Sequence, residues 1–350
     1  MNAAAIRELV RPEVPALAPY NAGLSSQAVR TRYGVEQIAR LASNENPFGA
    51  SPAVAQALAG LALRVGTYPD ANCRALRAAI AERTGASAEQ VVIGNGSESI
   101  LQMLCQAFLS PGDRVLTQRP AFGLHEIYPR MMGAQVELLA LTPALEFDLG
   151  AWCEALARGP KIAMLANPSN PVGCMFERQA FARLLEATPA GTLLVIDEAY
   201  YEYAQRALGF PDALAALRAQ QRPWIVLRTF SKAWGLAGLR VGYGIASDAS
   251  LVQWLDRVRT PFNVNEAAQA AALAAWGDEA FMAQAVAQTV AQGEWVVEPQ
   301  AQLMLQMVDV GNGTLPGPTT VTHSSDTGWT LRVGARVHAV TDDEQTSDIV

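Results

Sequence analysis

From about residue 91 onward, short runs of aliphatic and β-branched residues alternate with longer stretches of helical period. The runs VVIG (91–94), RVLT (114–117), QVELL (135–139), KIAMLA (161–166), TLLVID (192–197) and WIVLRT (224–229) predict buried strands. Between them, 97–109, 148–157, 176–187 and 211–219 carry helix-like spacing, with Ser97 and the pair Pro211-Asp212 as start signals. Strand, helix, strand repeated in this way predicts an α/β fold: a large domain whose mostly parallel central sheet is covered by helices on both faces. Functional side chains of such sheets gather at the carboxyl ends of the strands. A further strand-like segment, LRVGYGI (239–245), precedes one long Ala-rich helical stretch, about 265–292.

The two ends of the chain break this rhythm. Residues 1–45 read as an N-terminal arm that joins a smaller α+β domain, 46–262 as the large domain, and 263–350 as the C-terminal small domain, atypical after about 290. Residues 309–328, rich in Gly, Pro, Thr and Ser, predict a long loop or a disordered segment, and WTLRVGARVHAV (329–340) a short strand-like piece before a polar tail.

Composition narrows the partners. A net charge of −7 and a pI near 5.1 argue against nucleic acid or an anionic membrane surface as a general partner. The first twenty residues lack the apolar core of a secretory signal, and no run of about 18 apolar residues predicts a membrane span. Four cysteines without a CxxC pair, together with only three histidines, predict free thiols in a reducing cytoplasm and no metal centre. Of 26 basic residues only Lys161 and Lys232 are lysines, so each invites the question of what arginine could not do there. Lysine can lose its proton and form an imine; arginine cannot.

Four segments at predicted strand ends carry chemistry. IGNGSESI (93–100) is a Gly-rich turn opening a helix, whose free N–H groups and dipole suit a phosphate. It reads equally well as a bare βα turn, and it mimics a dinucleotide fingerprint lacking the third glycine. ANPSNPVG (166–173) is stiffened by two prolines and aims Asn170, although Asn-Pro alone is usually only a turn. VIDEAY (195–200) ends an apolar strand with Asp197, a carboxylate that needs a cation or a metal beside it, and no histidine is close in sequence. RTFSKAWGLAGLRVGYG (228–244) sets Lys232 among Ser231, Trp234 and glycines, with Arg240 beyond. Most lysines are solvated surface charges, but this apolar setting favours the neutral amine. An amine, an anion for a ring nitrogen, donors to a phenolic oxygen and a phosphate cradle are what an aldehyde-phosphate cofactor requires.

In order and spacing, LASNENPFG (41–49), TYPD (67–70), GNGSES (94–99), NPSNPVG (167–173), DEAY (197–200) and SKAWGLAGLR (231–240) resemble the fold-type I aminotransferases. The NENP and YPD pair resembles their histidinol-phosphate branch, and the likeness runs from about residue 10 to about 290. This resemblance implies pyridoxal 5′-phosphate as cofactor, with Lys232 as the Schiff-base lysine and proton-transfer base. It puts Asp197 at the pyridinium nitrogen, Asn170 and Tyr200 at the phenolic oxygen, and Phe122 against the ring. The phosphate falls to the amides of Ser97 and Glu98 with Ser231 and Arg240, and to Tyr68 across the interface of a homodimer with shared sites. Tyr20 and Asn44 would face the substrate. The implied reaction moves an amino group between a small-molecule donor, L-histidinol phosphate, and a 2-oxo acid, 2-oxoglutarate. Beyond about 290 the family's pattern stops, which also fits a frameshifted or truncated end; Arg332, with Arg336 second, comes nearest to the arginine expected at the substrate's anionic group. Alternatives are an aromatic amino-acid aminotransferase, a decarboxylase of the same fold, and a cofactor-binding protein without turnover. A nicotinamide dehydrogenase would leave Lys232 and the SNP loop unexplained.

Overall fold

In the computed structural model, residues 3–17, 25–34, 38, 42–61, 64–296, 319–324, 328–333 and 336–340 are described. The apolar runs form seven strands: β1 (Val91–Gly94), β2 (Arg114–Arg119), β3 (Gln135–Ala140), β4 (Ile162–Ala166), β5 (Leu193–Asp197), β6 (Trp224–Thr229) and β7 (Gly242–Ala246). They lie side by side in the order β1-β7-β6-β5-β4-β2-β3. Strands β2 to β6 pair in parallel, whereas β7 is antiparallel to both of its neighbours.

The alternation of side chains explains why these runs are apolar throughout. Val92, Val115, Met164, Val195 and Ile225 pack into the core on one face, where helices Gly96–Phe108 and Ala249–Val258 supply Ile100, Leu104, Leu251 and Leu255. Their chain neighbours Ile93, Leu116, Leu165, Ile196 and Val226 pack on the other face against helices Arg74–Thr84, Leu149–Ala157, Arg178–Ala187 and Glu266–Gly277. A strand with a hydrophobic layer on each side has no polar face to show.

Three expectations change. The segment 239–245 enters the sheet only at Gly242, because Ala237–Leu239 form a 3-10 turn and Arg240 takes a left-handed φ of 57°. The long helix over 265–292 is two, Glu266–Gly277 and Glu279–Val296. Asp278 divides them, its carboxylate accepting from Phe281 N at 3.2 Å and from the Ser51 hydroxyl at 2.5 Å, which caps the second helix. Within 309–328, residues Thr319–Ser324 form a strand, β8, paired antiparallel to β9 (Gly328–Val333), which in turn pairs with β10 (Arg336–Val340). The β-branched run TTVT outweighs the loop-like composition around it. Among the described residues of the arm, Ser26–Tyr33 is a helix capped by Ser25 and closed by Gly34 in the left-handed region. No helix of the described residues is long and apolar enough to cross a membrane.

Candidate active site

Sheet register brings distant segments to one edge. Gly242 pairs with Gly94 on one side and with Thr229 on the other, so the loop 230–241 lies beside the turn that follows β1. Because β6 and β7 are antiparallel neighbours, that loop leaves and re-enters the sheet on the same edge without a helical crossover. Ala166 pairs with Asp197, which sets the SNP loop beside the DEAY segment.

Lys232 stands in the middle of this edge. Its Nζ donates to the Ser43 carbonyl at 2.5 Å and lies 5.8 Å from the centre of the Tyr200 ring. Burial lowers the amine's pKa to about 8, with Arg240 reinforcing the shift and Glu45 and Asp197 opposing it. At neutral pH a usable fraction is therefore free base, which the more basic amine of a solvated lysine would not supply. Ser43 and Asn44 hold left-handed φ angles of 74° and 53°, a strained backbone that turns the carbonyl toward the lysine. Asn46 Nδ2 donates to the Ala233 carbonyl at 2.8 Å and pins this segment to the lysine loop.

Asp197 is buried at the end of β5. One oxygen accepts from Ala199 N at 3.0 Å, and the other meets His125 Nε2 at 2.9 Å. With the carboxylate ionised, Nε2 carries the hydrogen and donates it, fixing the imidazole's tautomer. His125 is fully buried at the start of helix Leu124–Met131, edge-on to the half-buried Phe122. Sequence reasoning missed this residue: it counted His125 only toward a metal. The usable signal was a histidine just past the RPAFG segment at the end of a strand.

Tyr200 is buried, and its hydroxyl accepts from Asn44 Nδ2 at 2.8 Å; the same amide lies 3.5 Å from Asn170 Oδ1. These three polar groups, read separately from three segments, form one cluster beside Lys232.

At the other end Arg240 reaches Ser231 Oγ and Glu98 Oε2, both at 3.3 Å, and the Ala237 carbonyl at 3.1 Å. Glu98 also accepts from the Tyr128 hydroxyl at 2.9 Å, so its side chain orients Arg240. The helix Gly96–Phe108 has Asn95, not Ser97, at its N-cap position, and no side chain caps it, which leaves its first N–H groups open to an anion. A Cβ on Gly96 would stand 2.6 Å from Arg240 Nη2, and one on Gly242 would collide with the Ser97 amide nitrogen. The cradle is thus bare backbone with one guanidinium over it, the donors an oxyanion needs.

Tyr68 stands apart, exposed and stacked on Phe262 at 4.4 Å. Tyr20 lies outside the described residues. Arg332 falls on β9, opposite Thr320 and Val337; its side chain is outside the described residues.

An amine, a buried carboxylate, hydrogen-bonding groups between them and an oxyanion cradle form the constellation of a pyridoxal-phosphate transferase. The chain belongs to the family of class I and II aminotransferases, whose model matches residues 36–298. It is 45% identical over 269 residues to histidinol-phosphate aminotransferase 3 of Rhizobium meliloti (strain 1021), covering 77% of this chain and 72% of that one. Histidinol-phosphate aminotransferase 1 of Mesorhizobium japonicum is 46% identical over 280 residues, 80% of this chain and 76% of its own. Among solved structures, histidinol-phosphate aminotransferase from Sinorhizobium meliloti in complex with pyridoxal 5′-phosphate superposes with a TM-score of 0.72 at 25% identity, covering 93% of this chain and 82% of that one.

Proposed function

We propose that this protein is a pyridoxal-phosphate aminotransferase that moves the amino group of L-histidinol phosphate to 2-oxoglutarate, giving imidazole acetol phosphate and L-glutamate. The observation that carries the reaction type is the partly neutral amine of Lys232, held between the buried Asp197 and the Gly96–Arg240 cradle. The donor rests on the relatives named above.

The bound cofactor supplies an electron-accepting ring that stabilises the charge left on the donor's α-carbon. Everything else falls to the chain. Lys232 Nζ would take the donor's α-proton and pass it on to the cofactor side instead of restoring it to the α-carbon, a task its lowered basicity suits. Asp197, oriented by His125, holds a proton on the ring nitrogen. Tyr200 and Asn170 serve the phenolic oxygen, with Asn44 orienting Tyr200 and facing the substrate. Phe122 would lie against the ring. The amides of Ser97 and Glu98, the Ser231 hydroxyl and Arg240 hold the phosphate.

The protein acts in the cytoplasm as a homodimer in which the exposed Tyr68 reaches the neighbour's cofactor phosphate. Residues 46–262, with the helix Glu266–Gly277 packed on the sheet, make the cofactor domain, while 1–45 and the rest of 263–350 contribute the small one. Tyr20 and Arg332 are the substrate-facing candidates of those parts.

Single-turnover reactions with L-histidinol phosphate, phenylalanine and glutamate, followed by cofactor absorbance, test the reading. Conversion to the amine form should be fastest with histidinol phosphate. Preference for phenylalanine would make the enzyme an aromatic aminotransferase. Carbon dioxide release would make it a decarboxylase, and no conversion with any donor an inert binder.

A further inference from the structure

The segment 43–49 lies along the lysine loop and meets it at both of its ends. At one end Lys232 Nζ donates to the Ser43 carbonyl at 2.5 Å. At the other Gly235, with a φ of +71°, comes so near Gly49 that a Cβ on it would collide with the Gly49 carbonyl. Between them stands Asn46, a residue with no part in the steps proposed above. Its Nδ2 donates to the Ala233 carbonyl at 2.8 Å, one residue past the lysine, and its Oδ1 accepts from Phe48 N at 2.9 Å. One planar amide thus closes its own turn with the oxygen and ties that turn to the lysine loop with the nitrogen.

The tie matters because of what precedes it. Ser43 and Asn44 are consecutive residues in the left-handed region, and side-chain-bearing residues stay there only while their surroundings impose it. Lys232 Nζ helps by bonding the Ser43 carbonyl, and Asn44 Nδ2 helps by donating to Tyr200 Oη at 2.8 Å. Both of those bonds use groups with other work to do. The Lys232 nitrogen must join an aldehyde and carry a proton, and the Tyr200 hydroxyl must serve the phenolic oxygen. The Asn46 bond ends on backbone, so it holds whatever Nζ is doing.

We propose that Asn46 is a positioning residue: its Nδ2 bond to the Ala233 carbonyl keeps the Ser43–Asn44 turn beside Lys232 while the lysine is engaged in chemistry, so that Asn44 stays on Tyr200 and faces the substrate. The consequence for catalysis rests on the function proposed above; the tie itself does not.

Asn46→Asp separates this role from the bland one. Aspartate has the same shape and keeps the Oδ1 acceptor for Phe48 N, but it turns an oxygen toward the Ala233 carbonyl where the donor stood. Asn46→Ala removes both bonds. A residue that only closes its own turn tolerates aspartate and not alanine, whereas one that ties the loop tolerates neither. The first readout is amide hydrogen exchange of the full chain, without added cofactor, resolved to peptides spanning 42–50 and 230–236. Exchange of both should rise on the order of tenfold in Asn46→Asp as in Asn46→Ala, the effect of one lost hydrogen bond, while β4 and β5 keep wild-type protection. Wild-type exchange in Asn46→Asp overturns the proposal. The second readout is single turnover with the amino donor. Both variants should bind pyridoxal phosphate as the wild type does, because the Gly96–Arg240 cradle is untouched, yet convert to the amine form roughly tenfold more slowly. Asn44→Ala should slow conversion too, and adding Asn46→Asp to it should slow it no further. Full additivity, or an unchanged rate beside raised exchange, overturns the positioning role. If the wild type converts no donor, the functional reading fails, and the exchange result still decides the tie.

Discussion

Replacing Gly96 by alanine separates cofactor affinity from fold stability, and the geometry sets both sizes. The added Cβ would lie 2.6 Å from Arg240 Nη2 and 3.3 Å from Cζ. Ordinary contact begins near 3.4 Å, so the guanidinium must retreat by about 1 Å. Its bonds to Ser231 and Glu98 are already 3.3 Å long and would not survive that shift. The cradle would lose one charged hydrogen bond, worth about 1.5–3 kcal/mol, or about 10- to 150-fold in Kd for pyridoxal phosphate. Separately, a φ of +73° with a side chain costs about 1–2 kcal/mol of stability. The assay is a paired fluorescence titration with pyridoxal phosphate and with pyridoxal, beside a thermal melt. Only the phosphorylated ligand should weaken, and the melting point should fall by a few degrees. Gly60→Ala, where nothing stands within 4 Å of the new carbon, is the control. Equal weakening of both ligands, or of neither, would falsify the assignment of this turn to the phosphate.

Lys232→Ala should remove the borohydride-reducible chromophore, whereas Lys161→Arg should keep it, because Lys161 is engaged with Asp113 at 2.7 Å on the far edge of the sheet. The wild-type amine should react with the aldehyde half-maximally near pH 8, faster above and slower below; a midpoint above pH 10 would show that burial does not act on it. Asp197→Asn should bind cofactor yet lose turnover on the order of 10²-fold or more, since an amide cannot keep the ring nitrogen charged, and a near wild-type kcat would remove Asp197 from that role. Mixed and reassembled, inactive Tyr68→Ala and Lys232→Ala chains should recover roughly a quarter of full activity, as one site of each hybrid dimer is intact. Activity that stays absent in proven hybrids would confine the site to one chain.

Strand runs and strand ends were the most legible parts of the molecule. A strand buried on both faces must be apolar along its whole length, so its borders are written in the sequence, and the polar residues that follow each border mark the edge where chemistry collects. Lys232, Asp197, Asn170 and the Gly94–Gly96 turn were therefore identifiable one by one from their places after β6, β5, β4 and β1. Break points inside long helical patterns were not. Asp278 caps the second helix with one carboxylate oxygen and takes the hydroxyl of Ser51, 227 residues away, with the other.

Local composition determined which elements form, which ends carry reactive groups, and that one of two lysines sits in an apolar loop. Tertiary structure alone decided which groups meet. His125 faces Asp197 across 72 residues, Asn44 reaches Tyr200 across 156, and Lys232 meets the Ser43 carbonyl across 189. It also raised the proton affinity of the buried Glu202, an ordinary carboxylate by sequence. The carboxyl holds its proton more tightly because folding removes the water that would have solvated its charge and gives Arg228 to Glu198.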